Sequence, residues 1–241
     1  MRRALTILAT SAGLAACATN ANVERAPGES FYASKEIPVE GVQALSVKGP
    51  FKVNVLGTSD RSSVRIYGPP EMLADTRVVV EDGTVSIAFV EGAEWQWNTG
   101  AGMHASVQMP ALNSVALQGA GQIEVRGVKA KAFEAGTGGS GSITILGLEA
   151  ESVQLGVGGS GSVSAQGTAD SAQLGVGGSG SVDAKRLRVA TAQIGIGGSG
   201  SIYADVSGSA EIGVGGSGRV EVVGGAECTF EPSQASQIEC R

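Results

Sequence analysis

Residues 153–165 read VQLGVGGSGSVSA, and the same stretch returns as AQLGVGGSGSVDA at 172–184 and as AQIGIGGSGSIYA at 192–204. The pentapeptide GGSGS starts at Gly138, Gly158, Gly177 and Gly197, and GGSGR at Gly215, with start-to-start spacings of 20, 19, 20 and 18. A degenerate sixth copy, Gln118-Gly119-Ala120-Gly121-Gln122, lies 20 residues upstream of the first. Self-similarity at a fixed period is the signature of a repeat architecture. Within one unit Val153, Leu155 and Val157 alternate with Gln154 and Gly156, and Val163 and Ala165 alternate with Ser162 and Ser164. That is the period of a strand, so each unit reads as two short strands joined by a glycine turn. A single unit cannot bury its apolar face; units stacked at the ~4.8 Å interstrand spacing can, with their aliphatic side chains lining one interior. The expected fold is all-β, a parallel β-helix of about six rungs whose regular part is roughly 24 Å long. A narrow interior also explains why Tyr203 is the one aromatic residue between 135 and 225.

Glycine supplies 38 of the 241 residues, and 25 of them fall between 135 and 225, at corners that need positive φ or close backbone approach between rungs. Ser140, Ser160, Ser179, Ser199 and Ser217 occupy one repeat position and read as a structural ladder, with hydroxyls able to bond a neighbour or backbone.

Several motifs in the repeat point to chemistry and do not survive their context. Gly156, Gly158 and Gly161 match a dinucleotide-binding G-x-G-x-x-G, but an alternating strand follows where the helix that holds pyrophosphate is required. The calcium nonapeptide pattern places Val163 where a ligand Asp is needed. A nucleophile elbow needs glycine where Ser162 stands, and His104 is the only histidine. No lysine follows a glycine, so there is no phosphate-binding loop. Residues 135–225 hold seven scattered acids; Asp183 and Asp205 are the two that adjacent rungs could bring near each other, and no partner acid is evident. No metal or cofactor is expected. A formal net charge of -6, without a basic face, argues against nucleic acid as a partner.

The first residues read as an address. Met1-Arg2-Arg3 is a positive start, and residues 4–16 form an apolar run of 13, too short for a mature transmembrane helix. It ends in Leu14-Ala15-Ala16-Cys17, which resembles a bacterial lipobox with Cys17 as the lipidated residue; an ordinary cleaved signal with Cys17 as a bystander is the alternative. Lipidation would leave a mature chain of 225 residues and a charge of -8, anchored to membrane through Cys17 with Ala18 next, a pairing that in Gram-negative lipoproteins implies the outer membrane. Residues 17–30 then form a lipid site and a polar tether, which as a coil spans roughly 20 Å. In an exported protein Cys228 and Cys240 are read as a disulfide closing residues 228–241 into a cap, the alternative being two free thiols.

Residues 31–117 carry a less regular all-β pattern that either begins the helix with wider coils or caps it, and 118–227 is the repetitive part. Glu81-Asp82-Gly83 reads as a hairpin bend between Thr76–Val80 and Thr84–Val90. Residues 91–104, EGAEWQWNTGAGMH, hold both tryptophans and the histidine, which makes Trp95, Trp97 and His104 the candidate binding residues. The competing reading is that a tryptophan plugs the core. Lys185, Arg186 and Arg188 read as a solvated loop.

Taken in order, the lipobox, GPFKVNVLGTSDRSSVRIYG, VVVEDGTVSIAF, MPALNSVALQGAGQIEV and the GSGS rungs resemble the bacterial head GIN domain, the auto-transporter adhesin group, over about residues 40–225. The resemblance implies a right-handed β-helix on a secreted or envelope protein, with no enzymatic activity established for the group and no binding residue carried over. The reading that follows is a noncatalytic, adhesin-like envelope lipoprotein facing periplasm or cell surface, with a protein or glycan as ligand. A periplasmic scaffold or envelope-stress partner is the alternative, and a polysaccharide-acting enzyme the third choice, since such chemistry needs paired carboxylates.

Overall fold

The computed structural model describes residues 22–24, 32–93, 102–231 and 237–241. In chain order they form β1 (Asn22–Glu24), β2 (Tyr32–Pro38), β3 (Ala44–Lys48), β4 (Lys52–Leu56), β5 (Ser63–Gly68), α1 (Pro70–Ala74), β6 (Thr76–Glu81), β7 (Thr84–Phe89), β8 (His104–Gln108) and β9 (Ser114–Gln118). The repeats follow as β10 (Gln122–Thr137), β11 (Ser142–Val157), β12 (Ser162–Val176), β13 (Ser181–Ile196) and β14 (Ser201–Val214). The chain closes with β15 (Arg219–Val223), β16 (Glu227–Thr229) and β17 (Ile238–Cys240).

From β9 onward the chain is a parallel β-solenoid of about six turns. Each glycine corner joins two walls. Wall A is made by the residues after the corners and wall B by those before them, while a bent stretch of the same strand forms the third side. The alternation in the sequence decides which side chains enter. Ile123, Ile143, Val163, Val182, Ile202 and Val220 stack in register inside wall A. Val115, Ala135, Leu155, Leu174, Ile194 and Ile212 do so inside wall B, and all twelve are buried. Full burial of such an aliphatic side chain contributes about 1.5–3 kcal/mol.

The corners form a ladder of their own. The Gly161 and Ser162 N–H groups donate to the carbonyls of Gly139 and Gly141 one rung away, at 2.9 and 3.0 Å. This stacking explains the glycines: a Cβ on Gly159 or Gly161 would lie 2.4 or 2.3 Å from a carbonyl oxygen of the preceding corner. No glycine of the GGSGS and GGSGR pentapeptides has positive φ, so close approach is what requires glycine at the second and third glycine positions of each, while the first has room for a Cβ.

Strands β3, β4, β7, β8 and β9 belong to the same stack, but not in chain order. In wall B the strands run β7, β3, β9, β10, and in wall A β8, β4, β10. The chain therefore enters at the rung β3–β4, leaves to build β7–β8 beneath it, and then passes above to β9–β10. Antiparallel strands make the detour and finish this end: β5 on β8, β2 on β5, β1 on β2, and β6 on β7. The β6–β7 hairpin turns on Asp82 and Gly83, with φ of 47° and 74°, as a two-residue Asp-Gly loop requires. Helix α1 lies beside β2 and β5 with Met72 buried. Strand β1 falls inside the segment expected to be tether, because its three residues find an open partner edge on β2.

At the other end, β16 pairs in parallel with β14 and β17 with β15, so these two strands add a last partial turn to the stack. Cys228 continues the inward file Val153, Ala172, Ala192, Ala210, and Cys240 continues Ala204, Val222. A disulfide joins the two across the mouth of the interior, with Cα atoms 6.5 Å apart. From β8 to β17 wall A stacks nine parallel strands, roughly 38 Å at the usual spacing.

Candidate functional site

Cys17, Trp95 and Trp97 lie outside the described residues. His104 is placed: it sits on β8 facing outward from wall A, in register between Tyr67 on β5 and Lys52 on β4. Its ring stacks on that of Tyr67, with centroids 5.1 Å apart and planes at 6°. Partial burial, with the Lys52 ammonium adding to it, holds the imidazole below its usual pKa. His104 is thereby tied into a cross-strand file. Beside it an open groove of about 1030 Å³ runs past Tyr67, Ser106 and Gln108 to Arg65, which pairs with Glu36 at 2.8 Å.

Ser140, Ser160, Ser179, Ser199 and Ser217 share one position on successive corners, and their side chains are exposed. The ladder runs through the backbone: the N–H groups of Ser160, Ser179 and Ser199 donate to Gly139, Gly159 and Gly178 at 3.1, 3.1 and 3.0 Å. A second serine file, Ser142, Ser162, Ser181 and Ser201, is half-buried on the outside of wall A. Next to it the Ser164 hydroxyl donates to Thr144 Oγ1 at 3.3 Å.

Asp183 and Asp205 do not lie opposite each other: Asp183 is in register with Tyr203, and Asp205, beyond a slip in the pairing of β13 with β14 between Ala184 and Arg188, is in register with Arg188. The basic run belongs to that bulged strand and not to a loop. Lys185 reaches Glu221 at 3.1 Å and sits 4.5 Å over the Tyr203 ring. Among the described residues, no three His, Cys, Asp or Glu side chains converge as a metal site would need.

The outside of wall B carries a long polar surface that the inward pattern of the sequence did not announce. Gln154, Gln173 and Gln193 form a file of exposed amides that continues in Glu211, with Gln173 Nε2 donating to Gln193 Oε1 at 3.2 Å. On one side runs a file of hydroxyls, Ser152, Ser171, Thr191 and Ser209; on the other, a file of glycines, Gly156, Gly175, Gly195 and Gly213. Between the hydroxyls and the amides lies a trough of about 1290 Å³ that extends from Ser114 to Thr229. The signal was present as the recurring Gln-x-Gly of VQLG, AQLG and AQIG, but periodicity was used to find the inward residues between them.

Among the described residues no helix is long and apolar enough to cross a membrane. The family described as "Putative auto-transporter adhesin, head GIN domain" matches residues 42–226. No curated protein matches the chain in sequence. Among solved structures, a "putative adhesin" from Bacteroides fragilis is similar, with TM-score 0.75 and 21% identity over 87% of this chain and 91% of that one. A "putative adhesin" from Parabacteroides merdae has TM-score 0.65 and 14% identity, covering 87% and 93%. A "putative lipid binding protein" from Parabacteroides distasonis has TM-score 0.64 and 17% identity, covering 82% and 92%. At these identities the likeness is one of fold.

Proposed function

We propose that this chain, which belongs to the head GIN domain family, is a noncatalytic envelope lipoprotein whose solenoid serves as an adhesin-like binding module. The observation that carries the reading is the outside of wall B, a continuous hydrogen-bonding surface along successive strands. It fits recognition better than bond cleavage, since acids enter it only as Glu134 at one end and Glu211 toward the other. The family's description and the Leu14-Ala15-Ala16-Cys17 lipobox support an envelope location.

Lipidation at Cys17 would also orient the molecule. Strand β1 begins five residues after Cys17, a reach of at most about 17 Å, so the antiparallel end faces the membrane and the disulfide end points away.

Protease accessibility on intact and permeabilised cells, with a Cys17→Ser variant alongside, tests the reading. Digestion on intact cells, release of the variant from the membrane fraction and weaker attachment of cells lacking the protein are expected. Protection until permeabilisation would replace the adhesin reading with that of a periplasmic scaffold. Cleavage of an acidic polysaccharide by the purified protein would overturn the noncatalytic assignment.

A further inference from the structure

Wall B carries glycines that the fold does not require. Gly156, Gly175, Gly195 and Gly213 occupy one register position on successive strands, none has positive φ, and a Cβ on any of them meets no atom within 4 Å. Glycine inside a strand weakens it relative to alanine, and the corner glycines show what a fold-imposed glycine looks like in this molecule. A strand glycine without such a cause marks a place where something else comes close to the backbone.

The glycines line a hollow of about 540 Å³ with Gln154, Gln173, Gln193 and Glu211, and the trough on the other side of that amide file supplies the second observation. It spans seven strands from β9 to β16, so its length is roughly 29 Å. A groove that runs across successive strands suits an extended polymer chain lying lengthwise.

Its chemistry narrows the choice further. Hydroxyls and carboxamides each donate and accept hydrogen bonds. From β11 to β13 the walls of the trough are Ser152, Gln154, Ser171, Gln173, Thr191 and Gln193, with no charge. An acidic polymer would find cations only at one end of the trough, at Lys129 and Lys131, none along β11 to β13, and would approach a protein of net charge -6. A peptide strand adds to a sheet by its backbone at an open edge, whereas the backbone of this wall is already paired on both sides.

We propose that the outside of wall B binds a linear, uncharged polysaccharide along the solenoid axis. Its hydroxyls exchange hydrogen bonds with the glutamine and serine/threonine files, and the glycine file leaves the sheet bare where the sugar rings overhang it. This inference rests on the binding-module reading and gives that module a site and a ligand class.

The test uses the full chain and immobilised cellohexaose, laminarihexaose, xylohexaose and mannohexaose, with a hexagalacturonate and an oligopeptide as comparators. At least one neutral glycan binds, and Gln173→Ala/Gln193→Ala weakens it by about ten-fold or more. Gly175→Ala/Gly195→Ala weakens it similarly while the melting temperature stays level or rises by about a few degrees, the opposite of what a structural glycine would do. No binding to any neutral glycan, equal binding by both variants, or preference for the acidic glycan or the peptide overturns the proposal. Cell attachment separates the two levels. Attachment that survives Gly175→Ala/Gly195→Ala but not deletion of the protein sinks the site alone, whereas attachment that survives deletion sinks the module reading.

Discussion

Gly178 and its neighbour Gly177 look equivalent in the sequence and are not. A Cβ on Gly178 would stand 2.3 Å from the carbonyl oxygen of Gly159, and one on Gly180 2.2 Å from that of Gly161, whereas Gly177 has only a carbonyl at 4.0 Å. Gly178→Ala and Gly180→Ala should each destabilise the protein by about 3 kcal/mol or more, because backbone packed on backbone cannot yield locally, while Gly177→Ala stays within about 0.5 kcal/mol in denaturant unfolding. Equal costs would mean that the corners do not stack as described. Thr137 is the reverse case, a polar residue in the inward file Leu117, Thr137, Val157, with its hydroxyl buried and without a partner among the described residues. Thr137→Val keeps the shape and removes the unmet hydroxyl, so the midpoint of unfolding should rise by an amount equivalent to about 1 kcal/mol. A fall would show that the hydroxyl has a partner of its own. The sequence could announce a glycine corner. Which of its glycines is indispensable depends on the position of the carbonyls in the next rung, and that is tertiary information.

Among elements, the repeat strands were legible because period 2 assigns each residue a side, and the structure keeps Leu174 inside and Gln173 outside. Leu174→Asp puts an unpaired carboxylate among Leu155 and Ile194 and should cost about 3–5 kcal/mol, while Gln173→Asp is nearly silent; thermal melts of the two variants compare them directly. Similar melting shifts would place the register off by one. The β6–β7 hairpin was equally legible, since Asp82-Gly83 names its own turn. The order of the rungs was not. Strands β3, β4, β7 and β8 all alternate in the same way, and nothing in an alternation ranks one rung above another, so the insertion of β3–β4 between β7–β8 and β9–β10 had to come from the pairing. The polar face was missed for a related reason. Gln154, Gln173 and Gln193 are the complement of the inward pattern, and a pattern that finds a core treats its complement as solvent.

For the whole molecule, the number of turns followed from counting glycine corners, but the ends did not, because a solenoid terminates wherever strands stop finding partners. The final partial turn has only short strands, β16 and β17, to hold it on β14 and β15. The disulfide compensates by tying one strand to the other across the interior, over a sequence separation of 12. Closing a loop of that size stabilises by about 3 kcal/mol through the unfolded state. In a stack where each rung touches only its neighbours, the effect of losing it stays near the end where it is lost. Cys228→Ser/Cys240→Ser should therefore speed amide hydrogen exchange in β15, β16 and β17 while β11 and β12 keep their protection. Protection lost evenly along the stack would show the solenoid to be one cooperative unit, and protection unchanged at β16 and β17 would show that the strand pairing there is sufficient without the covalent tie.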